Sequence, residues 1–115
     1  NLGTTEHVKD QYQCFKNIHK CCRVGGVMIH IVPPIGFPVR HGDWNYDPKF
    51  FINLCKLQGY DIFDQKTLTW KKGLELFALS CIKIKDVSFL SKSDFSSEQN
   101  RFIKNVEELF GVKGQ

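Results

Sequence analysis

Apolar positions recur early in the chain at Val8, Tyr12, Phe15, Ile18 and Cys22, three or four residues apart, which places them on one face of a helix predicted over 5–22. The pattern stops at "RVGG", where Gly25 or Gly26 can adopt the left-handed conformation that closes a helix. "VMIHIV" (27–32) then reads as a short buried strand, ended by Pro33 and Pro34 because proline donates nothing to a ladder. Residues 33–46, "PPIGFPVRHGDWNY", form a long connection of the kind that often carries function. A helix is predicted over 48–58: Asp47 caps its free N–H groups, Pro48 suits its first position and Gly59 its exit. Its buried side is expected to be Phe50, Phe51, Leu54, Cys55 and Leu57.

Two strand-like runs follow, 60–70 and 74–84, joined by "KKG" as an antiparallel hairpin. Residues 86–95 read as a linker. Ser96 or Ser97 then caps a last helix over 97–110, with Phe102, Ile103, Val106, Leu109 and Phe110 on its apolar face. A strand, a crossover helix and a further strand run parallel, and the hairpin adds one reversed strand. The expected fold is α/β, a three-stranded mixed sheet in the order 27–32, 74–84, 60–70, with helices.

At 115 residues, 42% of them hydrophobic and 13% aromatic, the chain is large enough for one packed core and is not disordered by composition. Its formal charge of +4 is spread over single lysines (Lys49, Lys56, Lys66, Lys83, Lys92, Lys104) rather than clustered, so a nucleic-acid partner is not expected. No apolar run is long enough to span a bilayer and no signal-peptide pattern is present, so the expectation is a cytosolic domain with no membrane partner. Cys14, Cys21, Cys22, Cys55 and Cys81 lack paired C-x-x-C spacing, and the four histidines form no H-E-x-x-H or H-x-x-E-H pattern; reduced thiols and no metal are expected. The chain opens on Asn1 and its only methionine is Met28, which points to a processed product or, better, a partial reading frame.

Three stretches carry a family likeness. "GTTEH" before a helix, "VGGVMIHIVPP" as a Gly-Gly turn with its strand, and "HGDWNYDPKFFINLCKLQGY" as loop, helix and glycine exit resemble the C-terminal half of a Rossmann-like (class I) S-adenosylmethionine-dependent methyltransferase. The closing hairpin is similar to the reversed last strand of that fold. The likeness covers 1–86; 87–115, a linker and C-terminal helix, lie outside it, and Val24 stands where the family usually has proline. The chain has neither the Gly-rich turn nor the acidic residue that hold the cofactor in such enzymes. The resemblance therefore implies the substrate-side portion of a methyltransferase, truncated and inactive alone. S-adenosylmethionine and a small-molecule methyl acceptor would bind a complete homologue, and no cofactor is expected for this chain by itself. The alternative is a non-catalytic homo-oligomeric interaction module.

Ligands in open α/β sheets sit beyond the carboxyl ends of the strands, which places "GTTEH" and the loop after Val32 on the ligand side. Glu6 and His7 are the candidate catalytic pair, able to orient or deprotonate a methyl acceptor. For the chain by itself the favoured expectation is structural, with Thr4 capping the first helix and Glu6 placed at its positive end. His41, Trp44, Asn45 and Tyr46 are the candidate substrate-binding residues, although Trp44 and Tyr46 would also serve to anchor the loop to the core. His30 reads as a core histidine, and Arg40 as a partner of an acidic substrate or of solvent. The edge of strand 27–32 is expected to be unpaired and to favour a homodimer, through that edge or through helix faces.

Overall fold

The structure, a computed structural model, describes residues 1–109. The first helix, α1, spans Gln11–Cys21 rather than 5–22, because Asp10 takes the cap: its carboxylate accepts the Gln13 N–H at 3.0 Å. Thr5–His7 form a separate turn of 3-10 helix, and the Thr4 side chain caps nothing. Gln11 fixes the kink between the two, its Nε2 donating to Thr5 O at 2.8 Å and to Val8 O at 2.6 Å.

Strand β1 spans Val27–Val32. The turn from Pro34 ends in a three-residue strand, β2 (Trp44–Tyr46), within the segment expected to be loop. Helix α2 (Pro48–Gln58) has the predicted ends, Asp47 accepting the Lys49 N–H at 3.0 Å and Gly59 left-handed at φ 72°. Its buried side includes Gln58 instead of Leu57, which is exposed. The Gln58 amide accepts the Leu90 N–H at 2.8 Å and donates to Ser88 O at 3.2 Å, which draws the 88–90 segment onto the helix.

Strands β3 (Tyr60–Thr69) and β4 (Glu75–Lys83) form the hairpin, with a bulge at Phe63, and the sheet order is β1-β4-β3 as expected. Both ladders are antiparallel, Val27 facing Ile82 and Tyr60 facing Lys83. The sheet is therefore antiparallel, not mixed. β1 and β3 do run the same way, but the reversed β4 lies between them, so they never share a hydrogen bond. The edge of β1 expected to be open is partly covered: Leu2 lies beside Ile31 in parallel, Ile31 N–H donates to Asn1 O at 2.9 Å, and Gly3 N–H donates to Ile31 O at 3.1 Å.

The C-terminal region also departs from the periodicity. Helix α3 occupies Lys92–Phe102, capped by Ser91 rather than Ser96 or Ser97; Ile103–Asn105 form β5, and Val106–Leu109 a further turn, α4. Phe110, assigned to the apolar face of the expected helix, lies outside the described residues. β5 pairs antiparallel with β2, Tyr46 facing Ile103, and Asp47 N–H donates to Phe102 O at 2.7 Å.

Helices α1 and α2 pack on the face of the sheet that carries Met28, His30 and Val32, with Phe15 and Phe51 against His30, and α3 lies across both helices, with Phe95 against Phe15 and Phe50. Their rings meet at offset and edge-on angles, the arrangement aromatic quadrupoles favour. The opposite face of β1 is bare, with Val27 54% and Ile29 51% exposed. Of the cysteines, Cys55 and Cys81 are buried, Cys14 and Cys22 half-buried and Cys21 exposed, all as free thiols. Among the described residues no helix is long and apolar enough to cross a membrane.

Candidate functional site

The turn Thr5–His7 sits beyond the carboxyl end of β1, and the loop after β1 folds back onto it. Asp43 N–H donates to the Glu6 carbonyl at 2.7 Å. This approach needs Gly42: a Cβ there would lie 2.8 Å from Glu6 Cγ and 2.9 Å from Glu6 O, too close for any side chain. Gly3 serves on the other flank. Its φ of +61° is a conformation that glycine adopts at little cost, and a Cβ there would stand 3.4 Å from Glu6 Oε2.

The loop thereby carries His41 to Glu6, with Nε2 3.3 Å from Oε2, while His7 Nε2 lies 3.9 Å from the same oxygen. The two imidazole rings meet edge-on at 5.2 Å. Glu6 is fully buried, and neither carboxylate oxygen has an aligned hydrogen-bond donor among the described residues. A buried polar group without a donor is costly and calls for an explanation. Beside the pair lies a cavity of about 450 Å³ whose wall is apolar, built from Leu2, Ile31, Leu68, Leu76 and Trp70. The His41 ring stands edge-on to Trp70 at 5.3 Å. Two imidazoles and one carboxylate at the rim of an apolar cavity can accept a proton from, orient, or hold through a metal a small polar group.

The remaining sequence candidates go elsewhere. Tyr46 is fully buried beside Phe50 and Phe51 and donates its hydroxyl proton to Gln11 Oε1 at 2.6 Å; burial pushes that hydroxyl far above its ordinary range. It anchors the loop. Asn45 is buried with its amide unpartnered among the described residues, and Trp44 lines a separate small hollow with Gln99, Asn100 and Lys104. Arg40 pairs with Glu107 at 3.4 Å on the surface. His30 is a core histidine: its Nδ1 lies 3.0 Å from Asn1 Nδ2, and burial, helped by the N-terminal ammonium, lowers its pKa to about 4.

Leu68, Trp70 and Leu76 escaped the sequence reading. They sit at the tip of a hairpin, and no local motif marks them. Only the central place of β4, with Phe77 beside Val32, brings that tip to the end of β1.

A larger hollow of about 790 Å³ lies between α1 and the 86–91 segment, but its buried polar side chains, His19 and Lys83, are already paired. His19 Nε2 donates to Val87 O at 2.6 Å, leaving Nδ1 to accept from the Tyr60 hydroxyl, and Lys83 Nζ donates to His19 O at 2.9 Å and Cys22 O at 2.8 Å. That hollow is part of the scaffold. No protein-family model, no curated protein and no solved structure matches this chain.

Proposed function

We propose that these residues form the substrate-side portion of a cytosolic, Rossmann-like S-adenosylmethionine-dependent methyltransferase, with Glu6 and His41, flanked by His7, acting on the methyl acceptor. The observation that carries the reading is the strand arrangement. A reversed strand, β4, lies between two strands that run the same way and are linked through α2, and Leu2 pairs in parallel on the far side of β1. That is the order expected of the last strands of such a sheet, with 1–3 standing where a preceding parallel strand would end. The half-exposed Val27 and Ile29 support the same reading, since a doubly wound sheet carries helices on both faces. The cavity then receives the acceptor, and Glu6 and His41 at its rim orient the nucleophile for in-line attack on the methyl group. S-adenosylmethionine would be held by parts of the fold outside these residues.

Calorimetric titration with S-adenosylhomocysteine tests this on two proteins. The 115-residue chain alone is expected to bind none, and the full reading frame to which it belongs is expected to bind one per chain. Absence of binding by the full frame overturns the methyltransferase reading. Saturable binding by the 115-residue chain alone places the cofactor site within these residues and overturns the substrate-side assignment.

A further inference from the structure

We propose that Glu6, His7 and His41 are the three protein ligands of a divalent transition-metal ion of the zinc class, held at the rim of the apolar cavity. One potential donor atom from each residue lies within 4.8 Å of the other two. In a tetrahedral zinc site with bonds of about 2.0–2.1 Å, neighbouring donor atoms stand about 3.3–3.4 Å apart. The Glu6–His41 separation of 3.3 Å already has that length, and the Glu6–His7 separation of 3.9 Å exceeds it by about half an ångström. Closing the site around an ion therefore requires a movement of His7, whose side chain is half-exposed on a surface turn.

The second, independent observation is the state of Glu6. Its side chain is completely buried, and both oxygens lack an aligned donor among the described residues. A cation bound between it and the two imidazoles supplies what the described residues do not. The donor set selects the class of ion: calcium and magnesium require six or more oxygens, whereas two imidazoles and one carboxylate suit zinc and its neighbours. Three protein ligands leave a fourth position for water or for an oxygen of a substrate, as in catalytic rather than structural zinc sites. Glu6 and His41 both line the cavity, so a molecule in it reaches that position directly. The ligands escape motif searches because helix α1 and strand β1 separate His41 from the Glu6-His7 pair. The inference goes beyond methyl transfer, since it rests on three side chains and no cofactor.

The test is calorimetric titration of Zn²⁺ into the purified, metal-stripped 115-residue chain, with circular dichroism to check folding. One Zn²⁺ per chain is expected. Glu6→Gln, His7→Gln and His41→Gln are each expected to weaken binding by at least about tenfold, the lower end of what even outer-shell substitutions cost. Changing Cys21 and Cys22 together to serine should leave the titration unaltered. His7 is half-exposed, so His7→Gln keeps the test decisive if a substitution at buried Glu6 fails to fold. No saturable binding, binding that survives any of the three substitutions in folded protein, or binding lost with the two thiols overturns the proposal.

Discussion

Replacing Glu6 with methionine is expected to make the metal-free chain more stable. The native carboxylate is out of contact with water and, among the described residues, without an aligned donor, and its nearest partner, the His41 imidazole, keeps about 30% of its side chain in solvent. Breaking a buried ion pair normally strands the other charge, but a partly exposed imidazole is hydrated by water as soon as the carboxylate is gone. Exchange of buried ionic groups for apolar side chains of similar volume is often neutral or stabilising by about 1–4 kcal/mol. Because His41 and His7 already offset part of the burial cost, the expected gain is about 1–2 kcal/mol, or a rise of about 4–8 °C in Tm for a domain of this size. Urea unfolding in the presence of a chelator measures it. At a Zn²⁺ concentration of about 100 times the native Kd the native chain should gain about 2.7 kcal/mol and a variant that binds at least about tenfold more weakly about 1.4 kcal/mol or less, which narrows or reverses the gap between them. If Glu6→Met in chelator is instead less stable by about 1 kcal/mol or more, the carboxylate is well satisfied in the fold, and the view of Glu6 as a group held for chemistry at the expense of stability fails.

Two further outcomes follow from buried groups away from the site. His30 titrates near 4 in the fold against about 6.5 when unfolded, so the unfolded chain binds the extra proton in between; stability should fall as pH drops from about 6.5 towards 4, by on the order of 3 kcal/mol in total. Urea midpoints across that range should show this slope in the native chain and a shallower one in His30→Gln, and identical slopes would remove the assignment. Lys83→Met deletes two charge-assisted hydrogen bonds to the last carbonyls of α1 and should cost about 3 kcal/mol in urea unfolding; a loss below about 1 kcal/mol would mean that water replaces the ammonium.

What the sequence made legible was local. Asp47, Pro48 and Gly59 bracket α2 because caps act within a turn of where they stand, and the hairpin is announced by two runs of strand length around "KKG". The start of α1 was misplaced because Val8 fits the apolar period, while Asp10, a better cap, sits inside it. β2 and β5 were invisible, since three residues are too few to show a two-residue period and their partners lie far apart in sequence. The period of Phe102, Ile103 and Val106 suits a helix, yet pairing with β2 holds Ile103 extended, and Phe102 still reaches the core. The site divides in the same way. Glu6 and His7 were candidates from one motif, whereas His41 was grouped with Trp44, Asn45 and Tyr46 by proximity in sequence. Its true neighbour is Glu6, and what joins them is a backbone contact through Gly42 that no side-chain pattern records.

The central position of β4 also sets a schedule. During synthesis β1 and β3 leave the ribosome before the only strand of their sheet that either can pair with fully, and β1, apolar on both faces, waits more than forty residues for it, about 2–10 s at ordinary elongation rates. The loop bearing His41 waits longer still, because β2 is pinned by β5 and Asp43 O accepts the Val106 N–H. The Glu6–His7 pair thus gains its final geometry only after residue 106 is made, and until β4 emerges the apolar segment "VMIHIV" is exposed to intermolecular pairing.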